Sequence, residues 1–305
     1  MSAGLAETGA MKVTMLGTGT PAPSLKRASS GYLIDVGGDV IVIDHGPGAN
    51  RRLMQAGRRV TEVSHVFFSH LHYDHCMEYP HLLLQRWDMG ADLIPDLQVF
   101  GPPPLARMTE LLFGLDGVFD PDIKARTLHQ ASIDVFEARG GKAPRRPPAP
   151  RVREPEPGDM IEGRGWQVQV AEGWHMQPYL RCYGYRLESE DAVLCYAGDS
   201  GGVCSEIVEL ARGADVLIHM NHFLSGTEPS AAFRKATGNH LDTAKVARAA
   251  GVRTLVLTHM AEPIDQPGVR ERMVCEMAAI FDGEIVLGED LLEIPVGAAR
   301  LARST

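Results

Sequence analysis

Ser69-His70-Leu71-His72-Tyr73-Asp74-His75 decides how this chain is read. Three imidazoles and a carboxylate fall close together, directly after the apolar run at residues 63–68. In a continuous strand His70, His72 and Asp74 would point one way and His75 the other, so the four converge only if the backbone turns. Imidazole and carboxylate suit Zn²⁺, and a polar loop after a buried strand is a common place for a site. A lone histidine is more often an ordinary packed or surface residue. The cluster points to a metal, with His70, His72, Asp74 and His75 as its candidate ligands.

Upstream, residues 12–16 are predicted as a strand ended by the turn Gly17-Thr18-Gly19-Thr20-Pro21, and residues 32–36 and 40–43 flank Gly37-Gly38 as a hairpin. Residues 50–57 carry a short helical pattern ended by Gly57. Downstream, helices are expected over 77–87 and 102–113, with a strand at 97–100 between them. Pro144, Pro147, Pro148, Pro150, Pro155 and Pro157 crowd residues 143–158, which predicts an extended surface loop. The second half alternates strands at 166–171, 183–187, 193–197, 216–218 and 254–257 with helices at 206–212, 243–250 and 270–281. Both halves run from strands toward helices. That order predicts one α/β domain over 11–296, two packed sheets with helices outside, and a Pro-rich surface insertion around 143–158.

In 305 residues, 30 Lys+Arg against 39 Asp+Glu leave a net charge of -9, which argues against a nucleic-acid partner or a membrane-surface role. No run approaches the roughly 18 apolar residues of a membrane span. Met1 to Ala10 lacks the basic and apolar regions of a leader, so a cytoplasmic location with no membrane partner is expected. Cys76, Cys182, Cys195, Cys204 and Cys275 are scattered without a Cys-x-x-Cys pair and are expected to be reduced thiols.

The His-x-His-x-Asp-His string resembles the signature of the metallo-β-lactamase superfamily, and the similarity continues along most of the chain. Asp44, closing Val40-Ile41-Val42-Ile43-Asp44, resembles the family's early Asp, which supports the metal loop. His175 in Trp174-His175-Met176, Asp199 in Tyr196-Ala197-Gly198-Asp199-Ser200, and His259 after Leu255-Val256-Leu257-Thr258 resemble its remaining ligands. The resemblance implies an αββα sandwich. It also implies two Zn²⁺ per chain, one held by His70, His72 and His175, the other by Asp74, His75 and His259, with Asp199 shared. Such a pair clamps a bridging hydroxide at neutral pH. The structural alternative for Asp199 is an N-cap of the following helix.

Gly17-Thr18-Gly19-Thr20-Pro21 and Gly238-Asn239-His240-Leu241-Asp242-Thr243 resemble the ribonuclease Z and arylsulfatase-like branch, which implies His240 as general acid, with Asp74 as the second catalytic residue. Two departures stand out. Asp215-Val216-Leu217-Ile218-His219-Met220 has Met220 where the branch has Glu, and the 24 positions from His175 to Asp199 leave no room for an RNA-binding arm. The expectation is therefore a dinuclear zinc hydrolase acting on a small-molecule ester, phosphodiester or related electrophile. The alternatives are tRNA 3′ processing as in ribonuclease Z, a hydrolytic dehalogenase of chlorinated aromatics, and a non-catalytic zinc-binding module. The dehalogenase reading rests on the local similarity of His-Leu-His-Tyr-Asp-His to the zinc-dependent chlorothalonil dehalogenase. Tyr73, His219 and His222 are candidate pocket residues, and Trp87 and Trp174 candidates for an apolar wall. The resemblance also implies a homodimer.

Overall fold

The computed structural model describes residues 11–297; Met1 to Ala10, read above for a leader, lie outside them. Two seven-stranded sheets carry the chain. The first takes β1 (Met11–Gly17), β2 (Gly31–Val36), β3 (Asp39–His45), β4 (Val63–Phe67), β5 (Gln98–Phe100) and β6 (Arg151–Arg153), in that order, with the last strand, β14 (Glu293–Val296), beside β1. The second runs β7 (Met160–Glu162), β8 (Trp166–Gly173), β9 (Cys182–Ser189), β10 (Ala192–Tyr196), β11 (Val216–Met220), β12 (Thr254–Thr258) and β13 (Glu284–Leu287) in sequence order. Hairpin pairs are antiparallel; β3, β4, β5 and β6 in one sheet and β10, β11, β12 and β13 in the other are parallel. Parallel strands buried on both faces read as continuous apolar runs, and Val40 to Ile43 and Thr254 to Leu257 are such runs.

The inner faces meet in a core that includes Met15, Tyr32, Phe67, Trp166, Tyr185, Tyr196 and Ile218. Helices cover the outer faces. α1 (Ala49–Gln55), α2 (Tyr73–Cys76), α3 (Tyr79–Gly90) and α4 (Leu105–Phe113) contribute Leu53, Cys76, Leu82 and Leu105 to a cluster with β3 and β4. α5 (Asp120–Leu128) and α6 (Gln130–Ala138) follow α4. On the second sheet lie α7 (Ser205–Leu210), α9 (His240–Ala250) and α10 (Val269–Ala278), with Ile207, Val246 and Met273 inward. The short α8 (Ala231–Ala236) precedes α9 and buries none of its residues. This is the αββα layering.

Several elements depart from the reading above, which placed nothing at β7, α8, β13 or β14. α5 and α6 were not foreseen, because α5 buries only Ile123 and α6 only Phe136, so no apolar stripe marks them. The Pro-rich stretch is more than a surface loop. Arg151–Arg153 pairs in parallel with β5 as a sheet edge, and Arg145 is buried with its guanidinium 3.9 Å from the Trp87 ring centroid. Its Nη2 donates to Asp88 at 2.9 Å, and Trp87 Nε1 donates to the Arg146 carbonyl at 2.9 Å. Burial pushes the Asp88 carboxyl up, but the hydrogen bonds from Arg145 and Arg139 hold it below the usual range. Trp87 is therefore the platform on which the Pro-rich segment is strapped.

Candidate metal centre

The ends of parallel strands deliver the polar groups. After β4 the chain turns through Ser69 to His72 into α2, whose first turn carries Asp74 and His75. The turn packs so closely on the end of β3 that a Cβ at Gly46 would sit 1.9 Å from the Asp74 carbonyl oxygen, and only glycine fits there. The second sheet supplies His175 from the β8–β9 connection, Asp199 after β10 and His259 after β12. Asp44 and His259 both hold left-handed backbone (φ 54°), as strained residues at sites commonly do.

These residues meet in three overlapping groups whose ligand atoms lie within 4.8 Å of one another: His70, His72 and His175; His70, His75 and Asp199; Asp74, His75 and His259. His72 Nδ1 lies 2.9 Å from His70 Nε2 and 3.2 Å from His175 Nε2. Asp199 Oδ2 lies 3.2 Å from both His75 Nε2 and His259 Nε2, and 3.9 Å from His70 Nε2. It sits between the groups. Asp199 does not cap the next helix, whose N-cap is Cys204.

The far ring nitrogens are anchored, which sets the tautomers. His70 Nδ1 is 3.0 Å from Ser69 Oγ, His175 Nδ1 donates to the Ala236 carbonyl at 2.7 Å, and His75 Nδ1 donates to Asp44 Oδ2 at 2.8 Å. Asp44, fully buried, also accepts from Ser69 N at 2.7 Å, Ser69 Oγ at 2.7 Å and Tyr196 OH at 2.8 Å. The Nε2 atoms of His70, His75 and His175 are thereby turned toward the centre.

Charge and unsatisfied atoms fit a cation. His75 Nε2 and Asp74 Oδ1 are buried without a hydrogen bond, which is costly unless another partner is supplied. Burial pushes His70, His72 and His175 down, leaving neutral imidazoles with free lone pairs. Burial would also lower His75, yet Asp199 and Asp44 raise it well above the usual value. Burial works against the Asp199 carboxylate, but His259 and His75 hold it well below the usual range. The carboxylates thus hold a proton on His75 where a metal ion would supply the charge. The donor set fits metal ions.

The other expected residues divide. His222 reaches the centre, its Nδ1 3.2 Å from His259 Nδ1. His219 is buried within β11, its Nδ1 donating to the Met220 carbonyl at 2.9 Å. His240 opens α9 and is also buried. Its Nδ1 accepts from Ser225 N at 3.1 Å and its Nε2 lies 2.7 Å from Glu276 Oε2, so the structure ties both nitrogens to other elements instead of bringing them among the clustered donors. Tyr73 is half-exposed beside the first loop, its hydroxyl donating to the Pro21 carbonyl at 3.1 Å. Trp174 is half-exposed and lines a groove at His175. Sequence reading assigned no role to Ser69, Tyr196 or Glu276. Ser69 and Tyr196 lay inside the quoted motifs, whereas nothing local marked Glu276.

Comparison with known proteins agrees with this picture. Residues 33–260 match the family model described as the beta-lactamase superfamily domain. Ribonuclease Z of Mycobacterium sp. (strain KMS) is 32% identical over 292 residues, covering 94% of this chain and 96% of that protein. Among solved structures, the metallo-beta-lactamase fold protein YhfI from Bacillus subtilis superposes with a TM-score of 0.71 at 18% identity, over 94% of this chain and 99% of that one. Human tRNase Z, short form, gives 0.65 at 20% identity over 94% and 100%. At those identities the structures speak for the fold alone. Among the described residues no helix is long and apolar enough to cross a membrane. With the family match spanning both sheets and the His and Asp cluster lying where their strands end, this chain belongs to the metallo-β-lactamase superfamily and is a hydrolase.

Proposed function

We propose that the chain is a dinuclear zinc phosphodiesterase of the ribonuclease Z type, cutting an RNA phosphodiester. The observation that carries this reading is the 32% identity to a ribonuclease Z along 94% of the chain, joined to a complete donor set. The preference for a small-molecule substrate expressed from sequence gives way to this alternative. His70, His72 and His175 would hold one ion, Asp74, His75 and His259 the other, with Asp199 between them. Bound there, the ions supply Lewis acidity and a nucleophile at neutral pH. The protein's part is to hold seven donors rigidly and to keep their tautomers fixed.

His222 has a positioning role in this scheme. By accepting a hydrogen bond from His259 Nδ1 it turns His259 Nε2 toward Asp74 and Asp199, each 3.2 Å away. Removing such an outer partner usually lowers metal affinity about 10–100-fold. His222→Ala is expected to weaken zinc binding in that range, read by competition with a chromogenic chelator, while the fold is retained. Undiminished affinity would end this role.

A second reading, a small phosphodiester as substrate, is favoured by the short β8–β9 connection at residues 174–181 and the net charge of -9. The experiment is to give the zinc-loaded protein a precursor tRNA with a 3′ trailer and, separately, bis(p-nitrophenyl) phosphate. Cleavage of the RNA at a single position supports the proposal. Turnover of the small diester alone selects the second reading, and turnover of neither with metal bound rejects both in favour of esters or halogenated aromatics.

A further inference from the structure

A groove of about 960 Å³ opens beside His175, between the β8–β9 connection and α8. Trp174, Tyr179 and Phe233 line it together with Lys235. Trp174 is 41% exposed and Tyr179 91%, an unusual outlay of aromatic surface to water. The groove borders the metal centre through His175, and its Phe233 wall backs onto His222. His175 lines it and also points Nε2 at His72, and Phe233 packs 5.5 Å from the His222 ring, itself 5.2 Å from the His259 ring.

The walls are set before any ligand arrives. Gln177 accepts from His175 N at 2.8 Å and donates to the Gly173 carbonyl at 2.7 Å, while Gly201 N donates to the Trp174 carbonyl at 2.7 Å. The charges select the occupant. Glu172 is held by Arg181 at 2.8 Å, Glu206 bonds Ser205 Oγ at 2.9 Å, and Lys235 has no ion-pair partner among the described residues. Two carboxylates and one cation do not suit a run of phosphates. Planar aromatic walls with a single free ammonium suit one base and one phosphate.

We propose that this groove is a nucleobase slot, in which the base next to the scissile phosphate stacks against Trp174 and Phe233 while Lys235 meets a neighbouring phosphate oxygen. The assignment rests on the phosphodiesterase reading and narrows it: the chain recognises a single unstacked base beside the cut. Base stacking on an aromatic side chain is worth about tenfold or more in affinity.

The test compares adenosine 5′-monophosphate with ribose 5-phosphate on the zinc-loaded full chain, since the two share the phosphate and differ in the base. Trp87 and Trp166 are only 8% and 4% exposed, so Trp174 is the tryptophan whose fluorescence the base should quench. The nucleotide is expected to bind about tenfold more tightly than the sugar phosphate. By calorimetry, Trp174→Ala should reduce the nucleotide to the sugar phosphate's affinity, and Trp174→Phe should restore most of the difference. Equal binding of the two probes in the unmodified protein overturns the slot, as does a base advantage that survives in both Trp174→Ala and Phe233→Ala. A base advantage in a protein that cleaves neither RNA nor diester keeps the slot and rejects the proposed activity. Cleavage without a base advantage rejects the slot alone.

Discussion

Replacing Asp199 by Ala is expected to lower hydrolysis by about a thousandfold or more, since loss of a mere outer partner already costs about 10–100-fold in metal affinity or activity. Asp199 is buried, and its Oδ2 stands within 3.2 Å of imidazole nitrogens from both sheets, His75 from the first and His259 from the second. On the proposed dinuclear reading, its loss would leave neutral imidazoles and Asp74 alone to balance the charge of two ions in a dry site. Zinc counted per chain by elemental analysis should fall from two toward one or none. Asp199→Asn separates charge from shape: it keeps the volume and should still lose metal. Full stoichiometry and full activity in the Ala variant would refute the bridging role. Because α7 is capped by Cys204 and not by Asp199, any loss cannot be assigned to a missing helix cap.

Asp44→Asn should have the largest effect on stability. The Asp44 side chain accepts four hydrogen bonds, from Ser69 N, Ser69 Oγ, His75 Nδ1 and Tyr196 OH. An amide in its place turns an NH₂ toward donors and removes the negative charge facing His75. Breaking a buried charged network by altering one partner typically costs about 3–5 kcal/mol. For a chain of this size that is a fall in Tm of about 5–8 °C, measured on metal-free protein so that lost metal binding does not contribute. Asparagine tolerates the left-handed backbone at this position (φ 54°), so the change reports the hydrogen bonds and not the strain. An unaltered Tm would mean that the network is not what holds the metal loop on β3.

Much of this was legible in the chain. The run from His70 to His75 is dense enough to announce a metal loop, and the buried strands before Ser69 and His259 are plain apolar runs. What could not be read was the direction of side chains on polar surroundings. His219 and His222 lie three residues apart, one in β11 and one just past it, yet one packs against α9 and the other against His259, because the chain leaves the sheet at Asn221. His240 sits in a motif that fits the family, but its rotamer is settled by Glu276, 36 residues away, and by the Ser225 amide. The Pro-rich segment looked solvated because its anchor is an arginine; stacking on Trp87 is a tertiary contact that composition does not encode.

The centre lies across the seam between the sheets, with His70, His72, Asp74 and His75 on one side and His175, Asp199 and His259 on the other. Its calibration is therefore mechanical. Tyr196 OH to Asp44, Tyr185 OH to the Phe68 carbonyl, Tyr32 OH with Thr258 Oγ1, and Tyr183 N to the Ser69 carbonyl, all at 2.7–2.9 Å, act as gauge pins between the two halves. A change of packing deep in the core, far from any ligand, would slide one half past the other and detune the donor spacing. In this protein the interior works as the instrument's frame, and drift in the core sequence would be read out as drift in catalysis.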